Sequence, residues 1–258
     1  MSNVGNQGEM PFLDHLEELR WRLMWAGLAL VIGVIISFTV MLKYDAIRFL
    51  AAPILPLLPQ GKLITSDPTA AFKITMTASF ACGGVLASPV IFYQTWAFLS
   101  PALYAHERKV IGAVLAFGVL LFGAGVSLAF FGLIPMTLKM LLSVQSSVLE
   151  PMISVSGYFD FAIGFMLIMG IVFELPIVVL ALTALGIVNP SMLRRFRRHA
   201  VVVCLIVSAF ITPGQDPFSL AAVAVPLVGL YEISVICSAF IVRRRERKAQ
   251  LEQSEAMA

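Results

Sequence analysis

The sequence predicts an all-helical membrane protein with six transmembrane helices. The 258 residues are 59% hydrophobic and only 13% charged, with a mean hydropathy of +0.92. Soluble domains carry about 25% charged residues, so this composition excludes an ordinary soluble domain and a disordered chain. Because a spanning helix needs about 20 apolar residues, the length accommodates about six spans with short loops.

Six apolar segments follow one another along the chain. We predict spans at residues 23–42, 74–98, 110–134, 158–185, 200–212 and 218–241, all within a single transmembrane domain of residues 1–242. Gly and Pro interrupt several of these segments, which a membrane tolerates where neighbouring helices satisfy the freed backbone groups. The charged tail of residues 243–258 is predicted to be disordered.

A polar stretch with a helical pattern precedes the first span. Phe12, Leu16, Leu19 and Leu23 recur at intervals of three and four residues, which predicts an amphipathic helix at the membrane interface. No small-residue cleavage site follows the apolar run. The run is therefore interpreted as a retained helix and not as a signal peptide.

Two carboxylates lie close to the ends of the first three spans, one before the first span and one between the second and the third. Glu18 either forms an ion pair with Arg22 one helical turn away or presents its carboxylate to a ligand at the membrane face. Glu107, between the second and third spans, either stabilises the N-terminus of the third helix through its dipole or binds a ligand. Residue chemistry alone leaves both pairs of interpretations open.

The fourth, fifth and sixth segments each contain an unusual feature. Glu174 lies within the fourth segment, where a mid-membrane acid costs about 2.5–3.5 kcal/mol, so it is either functional or neutralised by protonation or a hydrogen bond. The fifth segment spans about 20 Å at 1.5 Å per residue, against a hydrocarbon core of about 30 Å. The turn that contains Asp216, which leads into the sixth segment, is therefore predicted to lie within the membrane. The long loops 43–73 and 135–157 are expected to cap it.

The placement of basic residues predicts the orientation. With six spans, five Lys and Arg residues fall on one side of the membrane and thirteen on the other, so the positive-inside rule places both termini in the cytoplasm. The thirteen are Arg20, Arg22, Arg108, Lys109, Arg194, Arg195, Arg197, Arg198, Arg243, Arg244, Arg245, Arg247 and Lys248.

The sequence offers little support for an enzyme, a metal site or a nucleic-acid partner. The three histidines flank the spans, and neither an HExxH motif nor a glycine-rich phosphate loop occurs. The three cysteines lie in apolar runs without a CxxC pair, which is typical of small buried hydrophobes. We predict no catalytic residue, no cofactor and no bound metal. We also expect no nucleic-acid partner, because the basic residues follow membrane topology.

Four motifs resemble those of the TatC family, the multispanning subunit of the twin-arginine protein translocase. They are HLEELRWR at 15–22, YQTWAFLSPALYAHER at 93–108, FELP at 173–176 and TPGQDPFS at 212–219. Together they extend the similarity over about residues 12–240. One departure is Leu220, where the family usually has Gln.

The resemblance implies a glove-shaped bundle of six helices with short fifth and sixth helices. It implies that Glu18 and Glu107 bind the paired arginines of a signal peptide and that Arg20 and Phe98 shape that site. It also implies that Glu174, Asp216 and Pro53 serve an intramembrane groove or partner contacts. The implied partners are twin-arginine signal peptides of exported proteins, single-span TatA- and TatB-type subunits, other copies of the chain and membrane lipid. The implied location is the bacterial inner membrane, and the implied energy source is the proton-motive force.

Two further classes remain as alternatives. A small-solute secondary transporter fits the in-span acid and prolines, although no internal repeat is evident. An intramembrane protease would require a nucleophile and a base within the spans, and no such arrangement appears in the sequence.

Overall fold

The computed structural model describes residues 12–44, 46–58, 63–65, 68–99, 111–143, 153–212 and 216–256. They are helical apart from short connections and an isolated bridge between Ile64 and Ser154. This confirms the predicted all-helical class for the described residues. The helices are α1 (Phe12–Tyr44), α2 (Ala46–Ala51), α3 (Ala70–Leu99), α4 (Ile111–Leu128), α5 (Ile134–Ser143), α6 (Val155–Phe173), α7 (Leu175–Ala184), α8 (Pro190–Ile211) and α9 (Pro217–Ala256).

Within these ranges, five helical stretches are long and apolar enough to cross a membrane: Leu16–Tyr44, Ala70–Phe98, Leu115–Ser143, Val155–Ala184 and Pro217–Arg244. They match the first four predicted spans and the sixth, so the protein is a multi-pass membrane protein. The fifth predicted span lies in α8. This helix does not reach the same length because arginines occupy its first half and its apolar part runs only from Ala200 to Ile211. The count of six spans stays a prediction.

Helices α1 and α3 pack against each other with their backbones in contact. A Cβ atom on Gly33 would lie 2.5 Å from the carbonyl oxygen of Gly83, and one on Gly83 would lie 2.6 Å from the backbone nitrogen of Val34. Leu30, three residues before Gly33, approaches Gly84, one residue after Gly83. The two helices therefore run antiparallel. Small residues allow this approach, which is how membrane helices gain packing energy without a hydrophobic driving force.

A second close approach joins α4 to α6. A Cβ atom on Gly125 would lie 2.7 Å from the carbonyl oxygen of Met169, and one on Gly170 would meet the ring of Phe122 at 2.7 Å. A π-helical turn, Ala129–Leu133, connects α4 to α5. As a result the third apolar stretch is helical through Ser143, beyond the predicted end at residue 134.

The two loops predicted to form a cap contact each other. The amide of Ile64 donates to the carbonyl of Ile153 at 3.3 Å, and the amide of Val155 donates back to Ile64 at 3.0 Å. The Tyr158 hydroxyl donates to the carbonyl of Leu50 at 2.7 Å. These bonds tie the segment after α1 to the start of α6.

Both ends of the described chain differ from the sequence-based expectation. The amphipathic stretch and the first span form one continuous helix, because no Gly or Pro intervenes between Phe12 and Ala26. At the other end α9 continues through Ala256, whereas the sequence predicted a disordered tail over residues 243–258. The tail consists largely of Arg, Lys, Glu, Gln and Ala, which have high helix propensity.

The contact between Gly33 and Gly83 predicts a position-specific effect of alanine. Gly33→Ala should lower the unfolding midpoint of the purified protein in detergent by several degrees, because overpacking against rigid backbone costs about 1–3 kcal/mol. Gly27→Ala on the same helix is the matched control, since no atom lies within 4 Å of its added Cβ. Thermal unfolding followed by tryptophan fluorescence measures both. Equal midpoints for the two variants would contradict the proposed contact.

Candidate functional site

Glu18 lies in the first part of α1 and is half-buried. The Nε of Arg22 donates to Glu18 Oε1 at 2.9 Å, and Nη2 of the same guanidinium donates to the same oxygen. The predicted ion pair between residues four apart is therefore present. Such partly exposed pairs contribute only a few tenths of a kcal/mol, so the pair orients the Glu18 carboxylate more than it stabilises the fold.

Phe98 lies at the same end of the bundle as Glu18. Each is about 15 residues from the Gly33–Gly83 contact, Glu18 along α1 and Phe98 along α3, which is about 22 Å in both helices. Because the helices are antiparallel, both distances run toward the same membrane face. Phe98 is half-buried there. The structure thus brings two of the four predicted signal-binding residues to one face.

The other two predicted signal-binding residues are placed differently. Arg20 is exposed. It follows Glu18 by two residues, about 200° around the helix, and so lies on another side of α1. Glu107 lies outside the described residues.

Glu174 marks a break in the fourth apolar stretch. The α-helical hydrogen bonding ends at Phe173 and resumes at Leu175, because Pro176 lacks an N–H and its ring clashes with the carbonyl four residues earlier. A Cβ atom on Gly118 would lie 3.4 Å from Glu174 Oε2. The carboxyl group therefore rests against the bare backbone of α4.

The other oxygen of Glu174 has no hydrogen-bond partner among the described residues. Oε1 is buried and unpaired there. A buried polar atom without a partner costs free energy and is uncommon in native proteins. The group is therefore available to a polar atom brought by another molecule.

Asp216 precedes α9 and caps its N-terminus. Its Oδ1 accepts a hydrogen bond from the backbone N–H of Ser219 at 2.8 Å. This bond gives the first turn of α9 an acceptor for one of its free backbone N–H groups, which is the role of an N-cap residue.

Pro53 lies in the turn after α2 and is half-buried. Within the described ranges no hydrogen bond or ion pair joins any two of Pro53, Glu174 and Asp216. No group of three or more His, Cys, Asp or Glu side chains suited to a metal occurs in the part of the chain that the structure describes.

Sequence reasoning did not single out two residues of this region. Gly118 supplies the surface against which Glu174 rests, and a glycine within an apolar span was the available signal. The indole nitrogen of Trp96 is buried without a partner among the described residues.

Comparisons with known proteins assign the chain to a family. The family profile described as Sec-independent protein translocase protein (TatC) matches residues 14–226. A TatC protein of Aquifex aeolicus is 38% identical over 239 residues, which cover 92% of this chain and 98% of the relative. The chain belongs to the TatC family.

Further relatives of the TatC family agree with this assignment. TatC of Escherichia coli K12 is 34% identical over 242 residues, 92% of each chain. Two crystal structures described as the twin-arginine translocase receptor TatC, one of them in DDM, are each 38% identical to this chain. They superpose with TM-scores of 0.75 and 0.78, covering 88% and 87% of this chain and 98% and 99% of theirs.

Family membership decides between the broad classes left open by the sequence. TatC proteins are components of a protein translocase, and no catalytic activity is indicated for them. The family therefore favours protein export over solute transport or proteolysis.

The cap on α9 predicts different results for two substitutions at one position. Asp216→Ala should lower the thermal unfolding midpoint in detergent by a few degrees, because the amide of Ser219 loses its acceptor. Asp216→Asn should retain the wild-type midpoint, since Asn caps helices as well as Asp does. An Asn variant as unstable as the Ala variant would show that the charge, and not the cap, is what matters.

Proposed function

We propose that this chain is the receptor subunit that binds twin-arginine signal peptides of folded preproteins at the cytoplasmic face. The observation that carries the proposal is the Glu18 carboxylate, one oxygen of which accepts two N–H groups of the Arg22 guanidinium at the face where α3 ends. A carboxylate that binds the guanidinium of Arg22 in this way can bind an arginine side chain of a ligand in its place.

Exchange of partners provides the physical basis of recognition. An incoming arginine can replace Arg22 at Glu18 at little cost, because the intrachain pair is worth only a few tenths of a kcal/mol. Glu107, on the loop between α3 and α4, is proposed to bind the second arginine. Guanidinium forks match carboxylates in two-point geometry, whereas lysine offers a point charge, so arginine is preferred.

The proposed topology has six spans with both termini in the cytoplasm of a bacterium, across its inner membrane. The thirteen basic residues on one side support this orientation. The apolar part of α8, from Ala200 to Ile211, is the fifth span and reaches only about 18 Å. Local thinning of the bilayer or shelter by neighbouring helices accommodates a span this short.

Glu174 is proposed to contact the single span of a TatA- or TatB-type subunit within the membrane. Its support is the buried, unpaired Oε1 beside Gly118. Other copies of the chain complete the complex, and the proton-motive force drives translocation.

Signal binding predicts a charge-specific loss at Glu18. With a photo-crosslinker beside Glu18 in membranes, a preprotein with an Arg-Arg signal should form adducts and its Lys-Lys variant should form at least tenfold fewer. Glu18→Gln should reduce the Arg-Arg adducts about tenfold, because the amide cannot accept a charge-assisted pair. Glu17→Gln is the matched control, since Glu17 is the adjacent, exposed carboxylate.

Two results would contradict the proposed site. Adducts that form equally with Arg-Arg and Lys-Lys signals would show that the site recognises positive charge and not the guanidinium group. Equal losses of Arg-Arg adducts in the Glu18 and Glu17 variants would show that Glu18 is not part of the binding site.

The polar role of Glu174 predicts that its charge is dispensable. Glu174→Gln should keep most of the export activity, because an amide still offers a donor and an acceptor to a partner helix. Glu174→Leu should reduce export about tenfold. Export of a twin-arginine reporter from cells that contain each variant measures both. A Gln variant as inactive as the Leu variant would instead favour a role in proton transfer.

A further inference from the structure

The first half of α8 carries four arginines, and one of them is paired. Nη2 of Arg197 donates to Glu232 Oε2 on α9 at 2.7 Å. Arg194, Arg195 and Arg198, here called the arginine cluster, are exposed and form no ion pair with any described residue. Spacings of three and four residues place them side by side, where like charges repel. The cluster therefore favours an anion that bridges them.

Arg195 and Arg198 lie on the side of α8 away from α9, and Arg194 lies at the flank between the two sides. The contact side is marked by the carbonyl of Leu193, which accepts a hydrogen bond from Tyr231 at 2.7 Å, and by the buried side chains of Cys204 and Ser208. Arg195 stands about 180° around the helix from Cys204 at 100° per residue. A ligand at the cluster would therefore approach without displacing α9.

The same side of α8 continues as an exposed apolar surface. Val202, Leu205 and Ile206 follow the cluster and are 54%, 40% and 51% exposed. In a membrane, exposed apolar side chains on a helix face acyl chains. A ligand that fits both parts of this surface has an anionic head and a long apolar tail.

We propose that the arginine cluster is a headgroup site for an anionic phospholipid, with the acyl chains along Val202, Leu205 and Ile206. Guanidinium forks bind phosphate oxygens in two-point geometry. Basic clusters beside a membrane helix attract anionic lipids. A free anion would use the arginines and leave the apolar surface unexplained.

Lipid binding at this position sets the depth of a helix that is too short for the bilayer. The apolar part of α8 begins at Ala200, directly after the cluster, and measures about 18 Å. A phosphate held at Arg198 fixes that end at headgroup level. The site is separate from signal recognition and goes beyond the proposed function.

Native mass spectrometry of the purified full chain tests the proposal. The protein is equilibrated with phosphatidylglycerol or with phosphatidylcholine in detergent, and retained lipids are counted across a concentration series. Replacing the arginine cluster by glutamine (R194Q, R195Q and R198Q together) should weaken phosphatidylglycerol retention at least tenfold and leave phosphatidylcholine retention unchanged. The control variant R243Q, R244Q and R247Q removes the same charge from exposed positions on α9 and should change retention less than twofold.

Each other outcome overturns the proposal. Equal weakening by the two triple variants would mean diffuse attraction to net charge, and no weakening by the first would mean no site. Displacement of the lipid by millimolar inorganic phosphate would mean a soluble anion site. If the glutamine variant of the arginine cluster retained lipid but no longer bound a single-span subunit, the cluster would be a contact surface for a protein.

A second variant covers the case in which the glutamine variant does not fold. Replacing the three arginines by lysine keeps the charge and removes the fork. It should weaken phosphatidylglycerol retention about threefold while leaving the thermal unfolding midpoint in neutral detergent unchanged. Wild-type retention in this variant would also overturn the proposal.

Discussion

The backbone contact between Gly33 and Gly83 is the constraint that brings Glu18 and Phe98 to one membrane face. It fixes the height of α1 against α3, and because a helix rises about 1.5 Å per residue, it also fixes which residues meet at the ends of both helices. Glu18 and Phe98 share a membrane face because each stands at the same distance from this contact. In a membrane such packing replaces the hydrophobic effect between helices.

Polar groups within the bundle follow a consistent pattern. The hydroxyls of Ser79, Ser208 and Thr212 donate to backbone carbonyls four residues earlier, and Thr183 is hydrogen-bonded to Ser238 across α7 and α9 at 2.8 Å. These hydroxyl groups find partners on their own helix or on a neighbouring helix, which a medium without water requires. Glu174 departs from the pattern together with Trp96, Thr137 and Ser219, since each has a buried polar atom without a partner among the described residues.

Segment composition predicted the class and the placement of the spans, because apolar runs of about 20 residues have few other uses. Helical spacing offered the pair of Glu18 with Arg22 as one of two interpretations of that carboxylate. Segment composition could not predict which helices pack together. It therefore missed the contact of Gly33 with Gly83 and that of Glu174 with Gly118, since each joins residues on different helices. The helical tail was missed because charge was weighed more heavily than the propensity of its residues. The twin-arginine site came from motif resemblance, and Glu107 lies outside the described residues.

Helix α9 is continuous from Pro217 to Ala256 and extends beyond the bilayer. Its 40 residues extend about 60 Å, twice the thickness of the hydrocarbon core. The last three turns, after Arg244, project about 18 Å past the apolar stretch. Under the proposed function this is the cytoplasmic side, from which a folded cargo approaches. The length of this helix then sets how near such a cargo comes to the lipid.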